Sequence, residues 1–354
     1  MLTHDQALDA LKTIVDPALE SDIYSLGLVR NLEVADNRVS AELLIHRSAQ
    51  ASAELASKAQ DALKAAGAEA AELSITTVAS DGPAVDEKGG IPGVKNIIPI
   101  ASGKGGVGKS TVSANLAVAL RQTGARVGIL DADVYGPSIP RILGATEPPT
   151  QGGRGMIPVM VHDVPMISTG FFIRKDQAVV WRGPMLAKMV DQLINQVEWG
   201  ELDYLLLDLP PGTGDVQLTL CQRVALAGAV IVTTPQPVAV DIAEKAIIMF
   251  NQLKTPVVGV IENMSYYESR TTGEREFIFG SGGAEILSRQ WNIPVLGKIP
   301  LATTVRETAD SGKPIVLEDP KAPAAKAFHN AAAKLIGEIQ LRNASAEKPV
   351  EISF

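Results

Sequence analysis

The chain has 354 residues, 46% hydrophobic and 4% aromatic, with a formal charge of −8. That apolar content can bury the core of one large and one small domain, while the acidic balance supplies no field to draw in DNA or an anionic membrane. So few aromatics leave no stacking surface for single-stranded nucleic acid, and a lone cysteine, Cys221, excludes an intrachain disulfide framework and fits the cytoplasm.

The opening stretch, MLTHDQALDALKTIVDPALE, carries Asp5 and Asp9 inside its apolar periodicity. This predicts an amphipathic helix over about 3–14 rather than a signal peptide. Two strand-like runs in LVRNLEVADNRVSAELLIH flank Asp36-Asn37-Arg38, a hairpin signal. An alanine-rich helix, AQASAELASKAQDALKAAGA, stops at Gly67, and ELSITTV alternates as a strand does. The order α-β-β-α-β makes residues 1–78 a small α+β domain. Residues 79–93, ASDGPAVDEKGGIPG, mix glycine, proline and charge without period and read as a linker.

From residue 94 to 342, short apolar runs alternate with helical stretches. VKNIIPIAS, ARVGILD, YLLLDLP, AVIVTTP, PVVGVIEN and PVLGKIP are the expected strands. Runs buried on both faces and separated by helices predict a doubly wound α/β domain with a parallel sheet. Residues 343–354 form a polar tail, expected to be loosely ordered. No apolar run approaches the roughly 18 residues of a membrane span.

Within this second domain, SGKGGVGKST satisfies G-x-x-x-x-G-K-[ST] from Gly103 to Ser110. An apolar strand enters the motif and a helix leaves it, with Val112, Leu116 and Leu120 on one face and Gly124 as its stop. Glycines let backbone N–H groups turn inward around phosphate oxygens at a helix N-terminus. Lys109 is placed to neutralise the β- and γ-phosphates of ATP, and the Ser110 hydroxyl to ligate Mg²⁺. VGILDADVYGPS brings Asp131 and Asp133 to the sheet's carboxyl edge, where ligands bind in such folds. With a phosphate loop upstream, water activation by this pair is favoured over helix capping. LLLDLPPGTGD ends a strand on Asp208, expected in the outer shell of the metal, and the following turn offers the Gly212 N–H to the γ-phosphate.

Lys104 is one lysine more than the motif needs. Read as K-G-G-x-G-K-S, residues 104–110 resemble the deviant Walker A group of MinD- and ParA-type ATPases and the nitrogenase iron protein. The resemblance implies a homodimer sandwiching nucleotide, in which Lys104 reaches the partner's phosphates as an arginine finger does. A solvated loop lysine is the plainer alternative.

VKNIIPIASGKGGVGKST, DADVYGPSIPRILG, DLPPGTGDVQLTL, VTTPQPVAVDI and IENMSYY further resemble the Mrp/ApbC family of iron–sulfur cluster carrier ATPases, over about 90–340. DPALESDIYSLGLVRNLEV is similar to the small iron–sulfur assembly domain often fused ahead of it. The likeness implies a slow ATPase that transfers clusters to apoprotein clients. Its ATP loop is Gly103, Lys104, Gly105, Gly106, Val107, Gly108, Lys109, Ser110 and Thr111; Asp133 orients the attacking water with Asp131 near the metal. Asn263 reads the adenine edge, and Pro300 lines the base.

The family's cluster is held by a C-x-x-C pair shortly after the ENMS segment. Here Ser269 and Thr272 stand at those positions, and Gln50 stands near the small domain's usual cysteine. An alcohol ionises far less readily than a thiol and is a harder ligand, so hydroxyls compete poorly for iron in a sulfide cluster. Cys221, in an apolar segment, reads as a buried small hydrophobe. The histidines at 4, 46, 162 and 329 form no ligand pattern; His46 is nearest to the altered small-domain site. Two functions follow: the family's cluster transfer, or a cluster-free relative that uses ATP-driven dimer switching as a docking device. A MinD- or ParA-like positioning role is disfavoured, because the tail lacks a basic amphipathic helix and no basic stripe for DNA is evident.

Overall fold

The computed structural model describes residues 2–16, 21–24, 29–35, 37–45, 49–77, 89–153, 155–172, 189, 192–269 and 271–346. His46, the side chain of Gln50, residues 79–88 of the expected linker and 347–354 of the tail lie outside the described residues. Two compact units divide the chain. One holds residues up to 81, with 122–124 and the chain from 332 onward; the other holds 82–121 and 125–331.

The smaller unit opens with α1, His4–Lys12. Thr3 accepts the Gln6 N–H while the Gln6 side chain accepts the Thr3 N–H, a reciprocal cap that satisfies two orphan donors. Strands β1 (Val29–Ala35) and β2 (Arg38–Ile45) form the expected antiparallel hairpin, turning at Asn37 with φ +60°. After α2 (Ala49–Ala65), β3 (Ala70–Thr77) returns parallel to β2. Leu11, Ile23, Val39, Leu43, Ala59 and Leu63 fill the core. A two-residue ladder, Val15–Asp16 with Ser21–Asp22, is too short to show a period and was not legible in the sequence.

In the larger unit all six expected runs become strands: β4 (Val94–Ser102), β5 (Val127–Asp131), β8 (Leu202–Asp208), β9 (Ala229–Thr233), β10 (Val257–Glu262) and β11 (Val295–Lys298). They are mutually parallel, and all but the edge strand β11 are buried along most of their length. Two further strands, β6 (Val159–Val161) and β7 (Val164–Ser168), extend one side, giving the order β6-β7-β5-β8-β4-β9-β10-β11. The expected doubly wound parallel sheet is present, and β6, at its edge, runs antiparallel to β7. Their turn is made by His162 and Asp163, at φ +50° and +59°, without the glycine that would have marked it in the sequence.

The helices that position the site are α3 (Lys109–Gln122), α4 (Ile139–Leu143), α5 (Asp215–Arg223), α6 (Pro237–Gln252), α7 (Gly283–Trp291) and α8 (Thr303–Asp310). The last helix, α9, spans Pro323–Ala346, so residues 343–346 are helical rather than the start of a loose tail. The alanine-rich pattern continues through them, and the first helix breaker beyond is Pro349. Among the described residues no helix is long and apolar enough to cross a membrane.

Candidate nucleotide site

Strand β4 lies between β8 and β9; the connection leaving β4 runs to β5 on one side, and the connection leaving β8 runs to β9 on the other. A crevice opens at such a reversal, beyond the carboxyl ends of the strands. The phosphate loop leaves β4 there and closes on α3. Gly106 and Gly108 adopt φ +83° and +79°, which glycine alone enters without cost. A Cβ on Gly108 would collide with the Asn263 amide, so this position has neither the torsion nor the room for a side chain.

The loop's cation is anchored from beneath. Lys109 is 5% exposed and pairs with fully buried Asp208 at 2.8 Å. The same carboxylate accepts the Ser110 hydroxyl at 2.7 Å and the Ser113 hydroxyl at 2.6 Å. Ser113 was missed in the sequence; its place one helical turn after Lys109 was the available signal. Lys104 is half-buried, and its ammonium donates to Gln236 Oε1 at 3.2 Å.

Lys104, Lys109 and Ser110 border a cavity of about 500 Å³. Residues 104–111, from Lys104 to Thr111, line one end; Asn263, Met264, Pro300 and Leu301 line the other; Asp133 and Pro211 stand at the flank. The cavity thus brings together most of the residues expected from the sequence. Asn263 does so with its amide already engaged, since Nδ2 donates to the Val107 carbonyl at 2.9 Å.

Two of the expected groups are engaged within the protein. Asp131 does not face the cavity: it is fully buried, and its carboxylate accepts the N–H groups of Asp133 and Ile139 and the Ser168 hydroxyl. It braces the loop between β5 and α4. Burial, and then the Asp208 charge, push the Asp131 carboxyl up to about 7, against the pull of the Ser168 hydrogen bond and Lys109. Gly212, with φ +98°, donates its N–H to the Ser102 carbonyl at 3.0 Å, so that donor is committed within the protein. Asp133 has the freer carboxylate. Its Oδ1 accepts from the Tyr135 and Gly136 N–H groups at 3.2 Å, while burial raises its pKa and Lys109 opposes that rise.

Ser269 and Thr272 sit at the tip of a small hairpin formed by Tyr267–Glu268 and Arg275–Glu276. The Ser269 N–H donates to the Glu274 carbonyl, and the Gly273 N–H to the Ser269 carbonyl. Both hydroxyls are used inside the turn: Ser269 Oγ accepts the Thr272 N–H, and Thr272 Oγ1 accepts the Glu274 N–H, each at 3.3 Å. Arg275 stacks over Tyr266 at 4.3 Å and pairs with Glu268 at 3.0 Å. Among the described residues no three His, Cys, Asp or Glu side chains group as a metal site, and Cys221 is fully buried in α5. Hydroxyls closing their own turn do not fit a thiolate-held cluster.

A glycine loop between strand and helix, its lysine set on a buried aspartate at the sheet's switch point, defines the larger unit as a P-loop nucleoside triphosphatase. The family described as NUBPL iron-transfer P-loop NTPase matches residues 93–336, and that described as iron–sulfur cluster assembly protein matches residues 4–75. The chain is 43% identical to an iron–sulfur cluster carrier protein of Synechocystis, covering 96% of this chain and 99% of the relative. It is 41% identical to one of Escherichia coli K12, covering 96% and 92%. A solved nucleotide-binding protein of Archaeoglobus fulgidus in complex with ADP is 41% identical, with TM-score 0.57 over 63% of this chain and 88% of that one. The cell-division ATPase MinD of Pyrococcus furiosus shares the fold, at 24% identity and TM-score 0.53 over 70% of this chain and 98% of that one. The chain belongs to the NUBPL-type iron-transfer P-loop NTPases.

Proposed function

We propose that this chain binds ATP with Mg²⁺ and hydrolyses it slowly as a cytoplasmic homodimer, and that the cycle serves the delivery of iron–sulfur clusters to apoproteins. The observation that carries the nucleotide chemistry is the buried Lys109–Asp208 pair with Ser110 on the same carboxylate. An ammonium fixed in this way presents its charge to phosphate oxygens without reorganisation. Ser110 and, behind it, Asp208 would hold Mg²⁺, which would supply positive charge against the phosphates. Asn263 and Pro300 take the base end, and Asp133 orients water at the γ-phosphate. Gly212 would reach that phosphate only after releasing Ser102. In the dimer Lys104 exchanges its neutral partner Gln236 for the partner's triphosphate.

Kinship with cluster carriers supports a role in iron–sulfur transfer, and apoprotein clients with it. The hairpin favours a second reading of how the role is fulfilled: the switch docks its partners without holding a cluster at residues 269–272. Anaerobic reconstitution with iron and sulfide is expected to leave the protein without a stoichiometric cluster by iron count and absorbance. The double substitution Ser269→Cys, Thr272→Cys should then gain one. A stable stoichiometric cluster on the unsubstituted protein overturns the cluster-free reading; a colourless double variant shows that the hairpin has diverged beyond its ligands.

A further inference from the structure

The strand register sets three side chains in one row at the carboxyl edge of the sheet: Ser168 pairs with Asp131 across β7 and β5, and Asp208 pairs with Asp131 across β8 and β5. Ser168 is fully buried, donates to Asp131 Oδ2 at 2.9 Å, and accepts the Gly170 N–H at 3.0 Å. Its neighbour Thr169, also fully buried, donates Oγ1 to the backbone carbonyl of Asp133 at 3.3 Å. Gly170 packs on the Pro137 ring so closely that a Cβ would lie 3.0 Å from it. One turn, Ser168-Thr169-Gly170, therefore holds the loop 132–138 at three places: through Asp131 at its root, at the carbonyl of Asp133, and at Pro137 beyond it.

We infer that Ser168 and Thr169 are positioning residues for hydrolysis, fixing the loop so that Asp133 presents its carboxylate to the attacking water. The inference rests on the reading of Asp133 as the water-orienting group. Its physical basis is that Asp133 lies on an irregular loop, where no helix or strand sets its place. Asp133 Oδ1 is occupied by its own turn, so the direction of the other carboxylate oxygen follows from where the turn sits. Asp131 accepts the N–H groups of Asp133 and Ile139 near the two ends of the loop that carries this turn, and Ser168 supplies the buried donor that holds Asp131. A displacement of about 1 Å at a reacting group costs up to roughly a hundredfold in rate.

The test compares Ser168→Ala, Ser168→Thr, Thr169→Val and Asp133→Asn by steady-state hydrolysis and by equilibrium binding of ATP. Ser168→Ala and Thr169→Val are expected to lower kcat by about ten- to a hundredfold, with KM and ATP affinity held within about twofold. Ser168→Thr keeps the hydroxyl and should recover most of the rate. Thr169→Val preserves shape, and so decides the matter if Ser168→Ala folds poorly. Unchanged kcat in both variants while Asp133→Asn is inactive overturns the inference and leaves the role of Asp133 standing. Parallel loss of affinity and kcat also overturns it, since the turn would then support the cavity as a whole. Full turnover by Asp133→Asn removes both readings.

Discussion

Lys109→Ala is expected to abolish measurable ATP binding. The lysine contributes charge-assisted contacts worth about 1.5–3 kcal/mol each, so affinity should fall by about a hundredfold or more. The structure adds a second reason. Asp208 is fully buried and matched by Lys109 at 2.8 Å. Without the lysine, two serine hydroxyls are left to hold that carboxylate, and its charge faces the incoming triphosphate. Breaking a buried pair from one side typically costs about 3–5 kcal/mol of stability, because one charge remains uncompensated. Binding loss and destabilisation are separable. In Lys109→Ala, Asp208→Asn the buried charge is gone, so the melting temperature should recover while nucleotide titration stays flat. Recovery of binding in the double variant would show that the lysine acts only as a structural counter-ion.

Lys104→Ala should have the opposite profile, with binding retained and turnover lost. Within one protomer this ammonium meets a neutral amide, Gln236, at 3.2 Å, a bond that contributes little net stability and is readily exchanged. A cation delivered by the partner to a phosphoryl-transfer site is worth about 10³–10⁵ in rate, so kcat should drop by about a thousandfold. ATP-dependent dimer formation should weaken with it. Titration with a non-hydrolysable ATP analogue checks the first half and phosphate release the second. Equal turnover by the variant would return Lys104 to an ordinary loop lysine.

Much of this architecture is legible in the sequence because it rests on local pattern. The six buried runs, the helix stop at Gly124 and the glycine loop each announce themselves within about ten residues. What escaped depends on contacts between distant residues. Asp131 and Asp133 look alike as a pair, yet strand register places Ser168 beside one of them and buries it. The Asn263 amide and the Gly212 N–H were matched to a nucleotide, but in the fold each finds a backbone carbonyl of the loop or its strand. The β6–β7 hairpin turns through His162 and Asp163, with no glycine to mark it. Chemistry was readable from residue types, whereas the direction each group faces is a property of the packed molecule.

The account depends on two protomers meeting around bound ATP, and sedimentation velocity with saturating ATP and Mg²⁺ examines this most directly. The unsubstituted protein should sediment as a dimer and revert to the monomer with ADP. A single monomer boundary under conditions where phosphate release still proceeds would contradict it.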